Sequence, residues 1–496
     1  VHSITATGVF SAQKYQYDRL YGASKDLSFN SLWYNLNGGA IESLSSNFSQ
    51  WTMMSYVGRI NYGLMDRYLL TASLRYDGSS RLSEGNKWAL FPSAAIAWRI
   101  TEEDFAKNLD WLSNLKLRFS YGQAGNTNSV SPYASEGTIS GSVYYPFGTS
   151  TSVGNLPANI ANPMLTWERT SEYNVGLDFG FLNQRISGNI EYYNRTTNDL
   201  LMKRNIPVHL GYSSVTSNVG SVRNSGFELQ LNTANIMTKN FAWNTTINLA
   251  YNKNEIVSLA DEEDLSNYSI HLQGMRGRYS DKRFIGKPVD TNWTQNTIGV
   301  WQLGEEEEAA KYGCVPGNFK IKDYNNDGKL TDDDYIIDGK RTPDWTGGMT
   351  NMFKIYDFDF SFHMYFQAGA TQYDRFFENF ALEWNSQNFN NLRTNYWTPE
   401  NPSNTMGRPS QMGSRGNIAY ERTDFLKVSY ITLGYTLNKR LMSKWGLDNA
   451  RIYVTVQNPF ILTKFRGLDP EQPDLTNIGD TDGMTMNALL GVNISF

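Results

Sequence analysis

The chain alternates apolar and polar residues with a period of two in segment after segment. In residues 173–181 (YNVGLDFGF) every odd position is apolar or aromatic, and every even position is small or polar. The same alternation recurs in residues 70–77, 247–252 and 358–363. Successive side chains of a β-strand point to opposite faces, so each segment predicts a strand with one apolar face and one polar face.

Short and long connections take turns between the predicted strands. A soluble sandwich or propeller also contains alternating strands, but it has no reason to place a long loop at every second connection. Transmembrane β-barrels do so, with tight periplasmic turns and long extracellular loops. Short links are expected near residues 64–67, 182–184, 237–240 and 356–357, and long links at about 20–50, 123–165, 201–220, 253–343, 370–422 and 461–485. The sequence therefore predicts an all-β, transmembrane, antiparallel up-and-down β-barrel with about fourteen strands.

Composition agrees with a barrel wall. Hydrophobic residues make up 40% of the 496 residues, which is low, yet aromatic residues reach 14%. Aromatic belts at two membrane interfaces explain this pairing. No stretch approaches the roughly 18 consecutive apolar residues of a membrane helix. The chain ends in an alternating strand with a terminal aromatic residue, Leu490 to Phe496, as outer-membrane barrels do.

Two further features concern the ends and links of the chain. It starts Val1-His2-Ser3 with neither a Met nor a signal peptide, although an exported barrel needs one. We therefore expect a piece of a longer protein. Residues 101–114 (TEEDFAKNLDWLSN) predict a short periplasmic helix capped by Thr101.

Cys314 is the single cysteine, so the sequence excludes an internal disulfide.

Seven groups of residues occur in an order that is specific to one family. They are residues 66–80 (DRYLLTASLRYDGSS), 88–100 (WALFPSAAIAWRI), 117–122 (LRFSYG) with 125–126, 162–168 (NPMLTWE), 218–220 (NVG) with 224–228 (NSGFE), 316–317 before Asp323, and 424–427 (DFLK). In these motifs the chain resembles the SusC-like branch of TonB-dependent outer-membrane receptors, the RagA/SusC family. The resemblance runs from near the first residue to the last.

The resemblance implies a multi-pass outer-membrane importer rather than an enzyme. It implies active uptake of oligosaccharides, or less often peptides, driven through TonB, with a SusD-like surface lipoprotein as a lid over the mouth. Members also carry an N-terminal plug domain and a TonB box, and neither is visible here. A family barrel has about twenty-two strands. Residues 1–496 are thus expected to form one partial barrel domain whose first strands, about eight, lie upstream.

One motif predicts a metal site. Residues 323–334 (DYNNDGKLTDDD) match a twelve-residue calcium loop with Gly328 at the sharp turn. The alternative is an acidic surface turn stabilised by Asx hydrogen bonds alone. A bound Ca²⁺ would stiffen the longest outer loop. The predicted ligands are Asp323, Asn325, Asp327, the backbone carbonyl of Lys329, Thr331 through water, and Asp334.

Aromatic residues divide into two predicted roles. Those on strands are expected to face lipid, namely Tyr173, Phe179, Phe181, Phe360 and Phe362. Tryptophans in the outer loops are candidates for stacking on sugars, although each one could instead pack loop against loop or against the lid. These candidates are Trp293, Trp301, Trp345, Trp384 and Trp397.

Other functions find less support. The four histidines (His2, His209, His271 and His363) form no HExxH or zinc-ligand spacing, and no nucleophile elbow or phosphate loop occurs. A net charge of −5 and the lack of a basic patch give no case for nucleic acid. Two alternatives stay open. One is a secreted or surface β-rich, calcium-containing carbohydrate-binding protein or adhesin, and the other is a passive porin.

Overall fold

Regular structure in this protein is almost entirely β-strand. The computed structural model describes every residue except 30, 32, 208, 210, 213, 260–265, 268–275, 279–281, 383–393, 410–413, 439, 441, 443–445 and 474–483. The strands are β1 (His2–Lys25), β2 (Ala40–Leu64), β3 (Tyr68–Ser79), β4 (Trp88–Arg99), β5 (Leu112–Asn126), β6 (Ile139–Phe147), β7 (Ser150–Pro157), β8 (Glu168–Phe181), β9 (Ile186–Asn198), β10 (Leu201–Asn205), β11 (Ser214–Asn218), β12 (Ser221–Met237), β13 (Phe241–Ser258), β14 (Ser266–Asn267), β15 (Arg276–Arg278), β16 (Arg283–Phe284), β17 (Thr291–Gln295), β18 (Thr297–Val300), β19 (Phe319–Ile321), β20 (Tyr335–Lys340), β21 (Trp345–Ile355), β22 (Phe358–Ala368), β23 (Thr371–Tyr373), β24 (Tyr420–Arg422), β25 (Phe425–Thr436), β26 (Asn449–Thr463) and β27 (Asn487–Ser495).

The helices of the described residues are all short. They are α1 (Glu306–Lys311) and α2 (Arg375–Phe377), a π-helical turn at Glu378–Leu382, and 3₁₀ turns at Leu36–Gly38, Ile100–Glu102 and Asp332–Asp334. None of these helices has the length and apolar character needed to cross a membrane.

Fourteen strands form one sheet. Its order is β1-β2-β3-β4-β5-β8-β9-β12-β13-β21-β22-β25-β26-β27, so each strand neighbours the next long strand along the chain. The registered pairs are antiparallel. The predicted number of strands and the up-and-down order are confirmed. The other strands pair within the long links, as β6–β7, β10–β11, β14–β15–β16, β17–β20, β18–β19 and β23–β24.

The short links lie where the sequence predicted them, and left-handed residues close three of the four, at residues 65–66, 182–184 and 356. Met65 and Asp66 have φ of 54° and 55°, and Tyr356 has φ of 52°. The first long link is shorter than predicted. β1 and β2 stay paired out to Lys25 opposite Ala40, which leaves residues 26–39 as the link instead of about 20–50. Antiparallel pairing satisfies backbone groups in water as well as in lipid, so the ladder continues through polar sequence.

The helix predicted at residues 101–114 is wrong. A 3₁₀ turn covers Ile100–Glu102. The residue before it is Arg99, whose side chain does not cap the turn, and further turns lead into β5 at Leu112. Local turn bonds such as Ala106 N–H to the Glu103 carbonyl (2.9 Å) replace a continuous helical ladder. A helix of this length is marginal without a surface to pack on.

The chain divides into two compact units, and the first contains residues 1–98, 119–173 and 195–221. Its part of the sheet has two contrasting faces. On the polar face, the Arg75 guanidinium lies 2.6 Å from the Asp77 carboxylate and donates to Ser55 Oγ at 3.0 Å. The opposite face carries apolar cross-strand rows, one of which runs through Ile4, Tyr62, Leu70 and Ile96.

The second unit contains residues 99–118, 174–194 and 222–496, and its faces differ in the same way. On the polar face, Arg118 lies 2.8 Å from both the Asp178 and the Glu191 carboxylates. The apolar row of the other face is long and exposed; Leu490 keeps 75% of its surface. The predicted apolar faces are therefore surface rather than core. This row runs through Trp243, Phe353, Phe360, Leu433, Val454 and Leu490.

A polar island interrupts this apolar face near the short-link end. Asn351 Oδ1 accepts from Trp243 Nε1 (2.9 Å) and from Thr245 Oγ1 (2.7 Å). Asn235 Nδ2 donates to Thr245 Oγ1 at 2.7 Å, and Thr233 Oγ1 donates to Asn235 Oδ1 at 2.9 Å. The island joins three strands, and its members satisfy one another where no water is at hand.

Buried apolar cores form where the long links pack on one another and on the ends of strands such as β4. In the first unit a core packs around Leu165 and Trp167, with Leu82, Phe91, Val130 and Leu201 among its members. Glu168, itself buried, accepts from Asn126 Nδ2 (2.6 Å) and from the Leu201 backbone N–H (2.9 Å). The outer links are thus folded structures and not loose connections.

Candidate functional site

Long links of the second unit fold into a loop layer, here defined as residues 282–344, 369–382, 394–409 and 414–424. Its core contains Val300, Phe319, Ile321, Phe377, Ala381, Trp397, Met406 and Ala419. The short pair β18–β19 supplies three of these side chains, and β23–β24 pairs beside them. Arg408 N–H donates to the Gly317 carbonyl at 2.7 Å and ties two links together.

Three of the predicted sugar-stacking tryptophans are buried in this layer. Trp397 keeps 5% of its surface and donates from Nε1 to Gln302 Oε1 at 3.0 Å. Trp301 packs with Tyr312 and Cys314, and Lys320 Nζ lies 4.1 Å from its ring centre. Trp293 packs between Phe284 and Tyr335. Their faces are covered by the protein, so the loop-packing alternative describes them better than ligand stacking.

The other two candidates lie elsewhere. Trp345 begins β21 on the apolar face, where its ring lies 4.9 Å from that of Tyr251 and 5.4 Å from that of Phe227. An aromatic cluster on that face suits a membrane interface rather than a ligand site. Trp384 falls outside the described residues.

The acidic loop at residues 323–334 is closed by its own backbone. Asp323 Oδ1 accepts from the Asn326 N–H (2.6 Å) and Oδ2 from the Gly328 N–H (2.9 Å). Burial disfavours the charged form of Asp323, but these N–H groups outweigh it and hold its pKa below the usual range. Asp334, fully buried, accepts from the Tyr324 and Thr331 N–H groups at 2.8 Å each.

These contacts are the Asx bonds of the calcium-free alternative, and they leave further lone pairs on each carboxylate. Gly328 has φ of 77°, which the sharp turn of a calcium loop requires. Within the described residues no three His, Cys, Asp or Glu side chains converge as a metal site. Asn325 and Asp327 bond to each other at 3.1 Å; Asn325 is half-buried and Asp327 is exposed. Calcium binding through Asp323, Asn325, Asp327, Lys329 and Asp334 stays a prediction.

Calorimetric titration with Ca²⁺ tests this loop. If the ion binds, the full-length receptor should release heat on titration, and Asp323→Ala should lose it because the first ligand is gone. Asp332→Ala is the matched control, since Asp332 lies in the same loop but at no ligand position. Equal heats from the wild type and Asp323→Ala would contradict the prediction.

A buried carboxyl group was not foreseen from the sequence. Asp374 is fully buried, caps α2 by accepting from the Phe377 N–H at 2.9 Å, and its Oδ2 has no hydrogen-bond partner. Burial raises the pKa of Asp374 to about 6. The Phe377 N–H and Arg466 oppose the rise, and the Glu421 carboxylate adds to it. Its backbone N–H donates to the Ala419 carbonyl, so Asp374 joins two links of the loop layer.

The loop layer should therefore become more stable as pH falls. Because the folded pKa of Asp374 lies above the unfolded value of about 4, the native state binds the extra proton, and stability is lost as pH rises through 6. The difference is about 3 kcal/mol at pH 7. Asp374→Asn keeps the cap without the charge, so hydrogen exchange of residues 370–382 should slow at pH 8 and be unchanged at pH 4. Equal exchange of the wild type and this variant at pH 8 would contradict the assignment.

A cavity of about 420 Å³ opens on the polar face of the second unit. The glycine pair Gly347–Gly348 forms part of its floor because no side chains rise there. His363, on its edge, bonds to Thr350 Oγ1 at 2.9 Å through Nδ1 and stacks on Tyr430. The other polar lining residues are Asn189, Glu191, Glu228, Gln230, Asn248, Thr346 and Tyr365.

This lining suits a hydrogen-bonding ligand rather than catalysis. Glu191 is engaged by Arg118 and by Asn174 (3.1 Å), whereas Glu228 is exposed to the cavity. Amides, a phenol and an imidazole offer donors and acceptors to hydroxyl or amide groups. Sequence reasoning missed these residues because they sit on five strands. The available signal was the polar phase of the alternation in residues 228–230 and 248–250, opposite the paired glycines.

Comparison with known proteins gives consistent matches. The family described as "TonB dependent receptor-like, beta-barrel" matches residues 3–346. The chain is 33% identical to TonB-dependent receptor P26 of Formosa agariphila, covering 100% of this chain and 51% of the relative. It is 35% identical to TonB-dependent receptor SusC of Bacteroides thetaiotaomicron, covering 90% of this chain and 44% of the relative. The chain thus spans about half the length of the curated relatives it matches.

Solved structures match over the whole chain. The structure of the RagAB peptide transporter aligns with a TM-score of 0.81 at 24% identity, covering 100% of this chain and 53% of that one. The RagAB peptide importer in its open-open state aligns with a TM-score of 0.82, also at 24% identity and with the same coverage. At this identity the likeness concerns the fold.

Proposed function

This chain belongs to the family of TonB-dependent receptor-like β-barrels, and from that membership we propose that it forms the wall of an active importer of glycans or peptides. The family is one of outer-membrane receptors, so the predicted location in the outer membrane is confirmed. In this proposal residues 1–496 are one barrel domain. The plug and the TonB-contacting segment belong to the rest of the intact receptor.

The observation that carries the proposal is the division of the sheet into an apolar and a polar face. Side chains such as Leu433 and Val454 are exposed on one face, where acyl chains can solvate them. Arg118, Asp178 and the cavity around Glu228 lie on the other face, where water and a polar solute can pass. Family membership favours this reading over a secreted carbohydrate-binding protein.

The proposed partners follow from the SusC-like resemblance. A SusD-like surface lipoprotein would rest on the folded outer links, and TonB would deliver the energy through the rest of the receptor. Glycans and peptides both carry the hydroxyl and amide groups that the polar face can bind. The relatives include SusC, and the structural matches are described as a peptide transporter, so both substrate classes belong in the test.

Uptake by cells tests the proposal. The complete gene is deleted and restored, and labelled oligosaccharides and labelled peptides are offered separately. We expect uptake of one class to disappear on deletion, to return with the restored gene, and to stop when a protonophore collapses the inner-membrane gradient. Uptake that survives the protonophore would indicate a passive porin instead. Unchanged uptake of both classes in the deletion strain would refute import.

A further inference from the structure

An amphipathic groove lies on the apolar face of the second unit, at the end where the long links begin. Its volume is about 950 Å³, near the top of the range of roughly 300–1,000 Å³ seen for whole-ligand pockets. Phe366, Leu426 and Leu462 form a cross-strand row at its base, one residue each from β22, β25 and β26. Leu462 is 62% exposed.

Charge is concentrated at the loop side of the same groove. Arg422 and Lys464 both line it. Arg422 is the last residue of β24, and Lys464 follows the last residue of β26. The Arg422 guanidinium lies 2.6 Å from the Asp424 carboxylate, which also accepts from the Gly369 N–H at 2.7 Å. Lys464 is exposed and makes no ion pair within the described part of the chain. Two cations against one carboxylate leave this end of the groove positive.

The order of these groups matches an amphiphile with an anionic head. An acyl chain can lie on Phe366, Leu426 and Leu462, while a phosphate lies against the Lys464 ammonium and the free edge of the Arg422 guanidinium. Since the short turns mark the periplasmic end of the sheet, the groove is level with the outer leaflet. We propose that this groove binds a phosphorylated glycolipid of the outer leaflet, a role that goes beyond import.

The width of the groove and its position decide between lipids. It spans three strands, which gives room for more than one chain of a multiply acylated glycolipid. A phospholipid of the inner leaflet would meet the short-link end instead, where Lys239 is the exposed basic residue between β12 and β13. Lys239 therefore offers a control with the same charge on the opposite side of the membrane.

Native mass spectrometry of the full-length receptor, purified and delipidated in detergent, tests the proposal with bisphosphorylated lipid A as the probe. Reversing one charge beside an anionic head should weaken binding roughly tenfold, so Lys464→Glu should lose about that much affinity. Lys239→Glu should bind as the wild type does. The wild type should bind lipid A without phosphate as weakly as Lys464→Glu binds the phosphorylated form. Lys464→Glu should bind lipid A without phosphate with the same affinity as the wild type does.

Three results would overturn the proposal. They are equal weakening by Lys464→Glu and Lys239→Glu, phosphatidylglycerol binding that is as tight and as dependent on Lys464, and self-association of the receptor that depends on Lys464 without lipid. Heat-modifiable migration on gels verifies that each variant is folded. Leu462→Ser provides a second variant, which should weaken binding of both forms of lipid A by a similar factor because it removes acyl contact rather than charge.

Discussion

Replacing Gly226 with alanine should prevent most of the receptor from reaching its folded form. A Cβ built at Gly226 would lie 1.9 Å from the Tyr251 carbonyl oxygen and 2.8 Å from the Tyr193 hydroxyl. Tyr193 is held in place by its bond to Asn252 Oδ1 (3.0 Å). Because the oxygen belongs to the neighbouring strand, the clash is relieved only by moving β12 away from β13. We expect a loss of about 3 kcal/mol in the free energy of unfolding.

The measurement is the fraction of heat-modifiable receptor in outer membranes, followed by urea unfolding of whatever has folded. Gly8→Ala and Gly58→Ala are matched controls, because a Cβ at either position meets nothing within 4 Å. They change the same residue type on the same kind of strand and should leave folding nearly unchanged. Equal folded fractions for Gly226→Ala and Gly8→Ala would show that the pairing of β12 with β13 tolerates the methyl group.

Replacing Trp397 with alanine should unfold the loop layer while leaving the sheet intact. The indole lies on Gly317, where an added Cβ would come within 2.4 Å of the ring, and it fills the centre of the layer's core. Removing a buried tryptophan costs about 3–5 kcal/mol. The loss is local because the layer has its own core. Hydrogen exchange should accelerate in residues 297–321 and 370–382 but not in β25 and β26.

Trp397→Phe keeps most of the buried ring and should restore much of the protection. Trp345→Ala removes an indole of the same size from the apolar face and should leave the loop layer unaffected. If Trp397→Ala instead weakened ligand uptake without changing exchange in the loop layer, the tryptophan would contact substrate after all. The test therefore separates the packing role that the structure assigns from the stacking role that the sequence suggested.

Strands were predictable because their signal is local. The alternation in residues 173–181 and 358–363 depends on backbone geometry that every strand shares, and both segments are strands as predicted. The short turns were predictable for the same reason. Residues 101–114 were not, because a few apolar and acidic residues in helical spacing do not fix a helix that has no packing partner.

The candidate site was less predictable because it depends on register and on contacts between distant links. Trp397 donates to Gln302, which is 95 positions away in the chain, and belongs to the same core as Val300 and Phe319. The cavity brings Gly348 and Tyr365 together because these residues pair across neighbouring strands. The acidic loop at residues 323–334 is a different case. Its turn follows from local sequence, but whether it binds Ca²⁺ does not.

The hydrogen-bonded group around Asn351 has a consequence for how the wall is put together. Slipping β21 by one position against β13 would turn the Asn351 amide to the other side of the sheet and strand the Thr245 hydroxyl and the Trp243 indole N–H among acyl chains. Misaligned hairpins would therefore be penalised while they insert. Apolar rows such as Phe353 with Phe360 tolerate a shifted neighbour. These few amides and hydroxyls therefore specify one register between the strands.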